Sequence, residues 1–506
     1  MLRLPRRRLF MLGSAALLGT LPAPRLRNPF TLGVASGDPL PEGVLLWTRL
    51  APRPLEPAGG VPPVRYPVAW QVAEDDRFRR VVRSGTATAA PEYGHSVHVD
   101  VRGLRPGREY HYRFRAGAHL SPPGRTRTAP ARGASPRRLR FATASCQSYT
   151  DGYYDAWRHL AAEDLDLVFF LGDYIYEGAI NSVGGSRMDP ALRLPDTFEL
   201  ETDTLDLYRM RYALYRTDPD LQAAHAALPW VLTWDDHEVQ DNYADEVPRL
   251  PGALPADFAV RRADAYRAYW ENQPLRRPRQ PSGPDMSLYR RFRFGDLAHA
   301  YVLDTRQYRA DQACGDGLRA GCAERDRPGR TLLGAAQRDW LLDGLGRSEA
   351  RWNVLAQQVM MAECRYGGPA NRLDMDKWDG YATDRRRILQ TAARMPGTVV
   401  LSGDIHCNYA ADLHAGPAVV GVEFVGTSIT SGGDGSDTTG QLDLQRRYNP
   451  HLRFANAQRG YLRCELTPDR IRADYRVMSQ VTRPGGTITT RASFVSERAR
   501  PGLVAA

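Results

Sequence analysis

The chain has 506 residues, which is long enough for two domains or one large one. Apolar residues at 42% and charged residues at 25% are ordinary for a globular protein and exclude a disordered or fibrous chain. The formal charge of +10 includes Arg3, Arg6, Arg7 and Arg8 of a leader, and the mild basicity that remains suits anionic substrates without arguing for a stable nucleic-acid complex.

The opening "MLRLPRRRLFMLGSAALLGTLPAP" has a basic start and an apolar run from Leu9 to about Leu21, too short for a membrane span. Residues 1–27 read as an export signal. Arg7-Arg8-Leu9-Phe10-Met11 has the twin-arginine pattern, which makes the twin-arginine export machinery an expected partner and a periplasmic, cell-surface or secreted location the expected one. No later stretch is long and apolar enough to cross a bilayer, so an integral membrane protein is not expected.

From residue 28 to 133 the sequence alternates, as in "GVLLWTRL", "GHSVHVDV" and "EYHYRFRAG", with Gly and Pro turns between, and this predicts a β-sandwich. "LRPGREYHYRFRAG" resembles the fibronectin type III pattern, in which a Tyr bonds back across a sandwich corner. A linker rich in Pro, Gly and Arg follows. Residues 139–485 then alternate apolar strands with helix-spaced stretches, the mark of an α/β domain with sites at the carboxyl ends of strands. The strands expected are "LRFATASC", "LDLVFFLGD", "PWVLTWDDHE", "AYVLDTR", "WNVLAQQVMMA", "TVVLSGDIHCN" and "VEFVGTSIT". The Gly-rich stretch from Thr430 to Gly440 reads as a flexible loop, either near the site or, the duller reading, only a turn; residues 486–506 read as a tail, and the insertion from Ala179 to Thr204 and the chain after Arg483 are candidate lids. Among six cysteines, Cys314 and Cys322 flank a short Gly-rich loop and are the expected disulfide, worth ~2–3 kcal/mol by loop closure.

Four of the predicted strands end in ligand-type side chains: Cys146, then Asp173 and Tyr176, then Asp235, Asp236 and His237, then Asp404 and His406. Thiolate, carboxylate, phenolate and imidazole are the groups that hold metal ions. Singly, each has a duller reading, the Asp as a helix cap, the Cys as core, the Tyr as packing. Their joint arrival at the same end of successive strands is what the duller readings explain poorly.

"GDYIY", "DDHE" and "GDIH" resemble the motif order GDxxY, GNHE, GHxH of the purple acid phosphatases. More closely, "ASCQS", "FFLGDYIYEG", "TWDDHEVQDNYA", "VLDTRQYR", "NVLAQQVM" and "LSGDIHCNYA" resemble the motif series of the PhoD-type alkaline phosphatases, over roughly Phe30 to Met478. The chain departs from the purple acid phosphatases at Cys146 in place of Asp, at Gln357 in place of His, and at Asp404 in place of the first His of GHxH.

The resemblance implies a metallophosphoesterase two-sheet α/β/β/α sandwich preceded by the fibronectin III-like sandwich, and a metal pair of Fe3+ and Ca2+. By position, Cys146, Tyr176 and His406 would serve the iron, Asp173 would bridge, and Asp236 with Asp404 would hold the calcium. The implied activity is hydrolysis of phosphate esters, as an alkaline phosphatase or phosphodiesterase, by a metal-bound hydroxide acting in line. His237 is the candidate proton donor or phosphate holder, with orienting Asp236 as its duller reading; Arg306 reads equally as a bidentate phosphate contact or a structural ion pair, and Asn242 is a candidate donor to a phosphate oxygen. Small phosphate esters and phosphodiester polymers, phospholipids included, are the substrate classes left open. Two rivals lie in other classes: a cysteine hydrolase with Cys146 as nucleophile, His237 as base and Asp404 as orienter, and a non-catalytic surface-binding protein.

Overall fold

Alternating apolar runs and helical stretches close into two facing sheets. In the computed structural model, residues 26–180, 186–187, 194–249, 255–368 and 370–506 are described. Nearly all of the leader, and the middle of the 179–204 insertion, lie outside the described residues.

The seven expected strands are present: β1 (Leu139–Ala144), β2 (Leu167–Phe170), β3 (Pro229–Leu232), β4 (Ala298–Val302), β5 (Trp352–Ala356), β6 (Thr398–Ser402) and β7 (Ala418–Val425). β1, β2 and β3 are parallel neighbours in a ten-stranded sheet. β4 to β7 are parallel neighbours in a seven-stranded sheet. Each strand is buried on both faces, which is why it reads as a continuous apolar run. Leu167, Phe169 and Leu171 enter the layer between the sheets, where they join Val354, Ala356, Val399 and Leu401. Val168 and Phe170 point the other way, into a cluster with helices Asp155–Ala161, Leu205–Arg216, Pro219–Ala227 and Pro255–Asn272. Leu355 and Val400 face helices Gly334–Gly346 and Ala382–Ala392 on the far side. The layers are thus α/β/β/α, and each large apolar side chain so enclosed contributes ~1.5–3 kcal/mol.

The N-terminal sandwich forms, with a difference. Its outer sheet is five-stranded and includes Tyr66–Ala73, Val81–Ala89 and Glu109–Ala116. Its inner strands, Val34–Leu40, Gly43–Arg49 and Ser96–Arg102, are the edge of the ten-stranded sheet itself, because Val34–Leu40 pairs in parallel with β3. Gly37 permits the pairing: a Cβ there would lie 2.6 Å from the carbonyl of Pro274 and 2.8 Å from that of Trp230. Buried polar ties reinforce the seam, with the Trp47 indole donating to Glu271 O at 2.9 Å and Arg49 to Asn272 Oδ1 at 2.9 Å. The sandwich corner is fastened by the backbone N–H of Arg105 donating to the Tyr110 hydroxyl at 2.9 Å.

Residues 486–506, expected as a tail, instead supply strands Ile488–Glu497 and Arg500–Ala505 at the opposite edge of the same sheet. "ITTRASFVSE" alternates with a Gly-containing partner behind it, a weak signal that pairing to Arg470–Met478 overrides. Cys314 and Cys322 are disulfide-bonded, and Cys146, Cys364, Cys407 and Cys464 are free.

Candidate metal centre

At the carboxyl ends of these strands the chain leaves the sheets in a strained conformation. Cys146, Asp173, Asp404 and His406 have φ of 59°, 56°, 66° and 55°. For residues other than Gly this left-handed region costs on the order of 1–2 kcal/mol each, and such outliers gather where side-chain direction matters more than comfort. Two glycines bring the ends together. A Cβ on Gly172 would lie 2.4 Å from both Cβ and N of Asp235, so the end of β2 can lie directly against that of β3. A Cβ on Gly403 would lie 2.4 Å from Ser145 Oγ, so the end of β6 can lie against that of β1, across the two sheets. The Gly of "FFLGD" therefore serves close approach as well as the turn.

Glu238 locks this geometry. Its carboxylate accepts the backbone N–H groups of Asp173, Tyr174 and Asp235 at 3.0, 2.7 and 2.9 Å. Burial pushes its carboxyl up to about 8, partly opposed by those N–H donors.

Three overlapping sets of donor atoms result, each with its atoms within 4.8 Å of one another: Cys146, Asp173 and His406; Asp173, Asp236 and His237; and Asp235, Asp236 and Asp404. Tyr176 belongs with the first, its hydroxyl donating to Asp173 Oδ2 at 3.0 Å and lying 3.2 Å from His406 Nε2. Asp173 Oδ1 is buried without a hydrogen-bond partner among the described residues, and Asp173 is shared by two of the three sets. A buried carboxylate oxygen with nothing to accept is costly unless a cation faces it, and donors of this chemistry fit such a cation.

Electrostatics divide the centre. Burial raises Cys146 and Tyr176 well above their ordinary ranges, with Asp173 adding to both. Burial lowers His406 to about 3, helped by Arg459, whose guanidinium donates to the His406 carbonyl at 2.5 Å. Burial raises Asp173 well above the usual carboxylate range, only partly opposed by His237. Burial also opposes ionisation of Asp236, but Arg306 and His237 outweigh it and bring that carboxyl down to about 2.

Every candidate residue read from the sequence arrives here, some in unexpected company. His237 Nδ1 donates to Glu177 Oε2 at 2.7 Å, and its ring lies on the Tyr176 ring with centroids 4.2 Å apart. Burial disfavours the imidazolium, but Glu177, Asp236 and Asp173 together hold it well above the usual histidine range. Asn242 donates its backbone N–H to Asp236 Oδ2 at 2.7 Å, while its side-chain amide is turned onto Asp316 Oδ2 at 2.9 Å. Arg306 is fully buried and meets Asp235 at 2.5 Å, Asp376 at 2.8 Å and Asp404 at 3.0 Å. It is the hub of the carboxylates, the structural alternative to a phosphate contact. Gln357 is turned into the core, donating to Ser402 Oγ at 2.6 Å and accepting from the Trp378 indole at 3.0 Å.

Sequence reasoning missed several neighbours. Glu177 and Glu238 lie inside the motifs quoted above without having drawn attention. Ser431, in the Gly-rich stretch read as a flexible loop, has its hydroxyl 2.7 Å from that of Tyr176 and donates to Cys146 O at 2.8 Å. Asp376 and Lys377 come from a loop that no strand announces. The cysteine-hydrolase rival lacks its dyad: the Cys146 thiol donates to Ser145 Oγ at 3.2 Å, and His237 is engaged by Glu177.

Side chains of metal-binding chemistry thus gather at the strand ends of two facing sheets. Comparison with known proteins shows what such a chain is similar to. The profile described as PhoD-like phosphatase matches residues 141–475, and that of its N-terminal domain matches residues 15–130. Alkaline phosphatase D of Bacillus subtilis (strain 168) is 51% identical over 483 residues, covering 94% of this chain and 82% of that protein. A solved PhoD structure superposes with a TM-score of 0.91 at 50% identity, over 96% of this chain and 93% of that one. A purple acid phosphatase from yellow lupin (Lupinus luteus) seeds shares the fold alone, with a TM-score of 0.52 at 10% identity over 92% of this chain and 74% of that one. The chain belongs to the PhoD-like phosphatase family.

Proposed function

We propose that this chain is an exported, metal-dependent alkaline phosphatase or phosphodiesterase whose centre takes two unlike cations. Cys146, Tyr176 and His406 would hold a ferric ion, Asp236 and Asp404 a calcium ion, and Asp173 would bridge. The observation that carries the reading is the buried Asp173 Oδ1, without a partner among the described residues, on the one residue that the first two donor sets share. A thiol and a phenol, which become anionic donors when a cation displaces their protons, suit a cation of high charge, whereas an all-carboxylate set suits a hard, oxygen-preferring one. Bound cations supply positive charge to the phosphoryl oxygens and acidify water.

The chain's own residues do the rest. His237, held as an imidazolium by Glu177, lies beside Asp236 and Asp173, placed to hold a phosphate oxygen or to protonate the departing alkoxide. Arg306 acts as a positioning residue, fixing Asp235, Asp236 and Asp404 in one constellation. Asn242 holds Asp236 through its backbone and reaches a phosphate oxygen only if its amide leaves Asp316. The twin-arginine leader supports export of the folded protein. Among the described residues no helix is long and apolar enough to cross a membrane.

Elemental analysis of the purified protein, alongside activity on a mono- and diester panel before and after EDTA, tests the reading. Iron and calcium near one each per chain, loss of activity with EDTA and its return with added ions are expected. A colourless, iron-free, fully active preparation would contradict the Cys146 and Tyr176 assignments.

A further inference from the structure

Lys377 is the single lysine among 68 basic side chains, and it sits inside the carboxylate half of the centre. Its loop is anchored from both sides: Asp376 N–H donates to Asp374 Oδ1 at 3.1 Å, and the Trp378 indole donates to Gln357 at 3.0 Å. The lysine side chain is 13% exposed, and its ammonium contacts Asp404 Oδ2 directly, with Asp376 Oδ2 at 3.5 Å. Asp404 Oδ1 is already engaged by Arg306 at 3.0 Å. Both oxygens of Asp404 are therefore held by cations of the chain itself.

The two holders differ in freedom. Arg306 is fully buried and clamped by Asp235 and Asp376 as well, so it cannot leave without stranding them. Lys377 has an unbranched stem, a compact point charge and partial access to solvent, so its ammonium is the group that can withdraw. A divalent cation and an ammonium on one carboxylate oxygen repel each other, and whichever binds must weaken the other.

We infer that the Lys377 ammonium is an internal competitor for the cation taken by Asp404, so that this lysine sets the calcium concentration at which that half of the centre fills. The inference rests on the proposed role of Asp404 as a ligand. It accounts for lysine at this one place in a chain that otherwise uses arginine. A guanidinium is broad and planar, and beside Arg306 it would crowd the same oxygens, whereas an ammonium occupies the space of a single small cation.

Calcium binding to the EDTA-stripped full-length chain, by titration calorimetry, tests this for wild type, Lys377→Met and Lys377→Gln. Both variants should bind Ca2+ at least ~10-fold more tightly, the scale on which groups around metal ligands tune affinity. The stripped variants should also melt at lower temperature than stripped wild type, because Asp404 and Asp376 lose a counter-charge, and the gap should close with Ca2+. Unchanged or weaker Ca2+ binding overturns the inference. If inorganic phosphate binds more weakly while the Ca2+ isotherm is unmoved, Lys377 is a substrate contact instead. No Ca2+ binding by any of the three proteins would remove the proposed second cation itself, and with it this competition.

Discussion

The two halves of the centre meet at Asp173 and follow different electrostatic plans. On one side, burial keeps the Cys146 thiol and the Tyr176 phenol protonated and brings His406 down to about 3, so three donors stand neutral. On the other side Arg306 outweighs burial and brings Asp236 down to about 2 and Asp376 well below the usual range, while burial raises Asp235 well above it against the same arginine. A half made of neutral donors must release protons to take a cation, and its occupancy depends on pH. A half crowded with carboxyl groups must be kept from flying apart before the cation comes, and Arg306 and Lys377 provide that.

The largest expected effect comes from the residue common to both halves. Asp173→Asn should lower kcat/KM by more than ~100-fold, beyond the range typical of residues that only support a ligand. A variant keeping more than a few per cent of the wild-type value would show that the halves do not meet at Asp173. Next comes the hub of the anionic half. Arg306→Met leaves Asp235, Asp376 and Asp404 buried with too little counter-charge, a loss of ~3–5 kcal/mol in urea unfolding of the metal-free protein. Cys146→Ser in the neutral half should cost that protein less than ~1 kcal/mol, since no ion pair is broken. Equal losses from the two substitutions would erase the distinction between the halves.

How much of this was legible beforehand follows from chain distance and strand geometry. Cys146, Asp173, Tyr176, Asp236, His237, Asp404 and His406 could be named because each ends a strand whose apolar run is unmistakable, and parallel strands put those ends on one side. Asp376, Lys377 and Ser431 could not, since they come from loops whose path is decided by tertiary contacts such as Trp378 on Gln357. The role of Arg306 was open for a related reason: an arginine after a strand reads the same whether its partner is a phosphate or three carboxylates. The sandwich was readable from its alternation, but its merger with the large sheet depends on the Gly37 approach to Trp230, a contact across nearly two hundred residues.

That merger offers the smallest and last test, because it places a histidine from the sandwich against the catalytic part. The His98 ring lies on Trp270 with centroids 4.3 Å apart, and its Nε2–H donates to the carbonyls of Trp270 and Gln273, both at 3.0 Å. Burial lowers its pKa from 6.5 to about 4, outweighing those two acceptors. The folded chain therefore binds fewer protons here than the unfolded one. The stabilisation is complete above about 6.5 and drains away as pH falls toward about 4. His98→Gln keeps a donor for the same carbonyls and cannot titrate. Its melting temperature should fall less than that of wild type between those two pH values, by on the order of 2 °C. Parallel curves would mean that His98 does not couple the sandwich to the large sheet through its charge, whereas convergence at low pH would place the acid-sensitive seam of the molecule at this contact, away from the candidate metal centre.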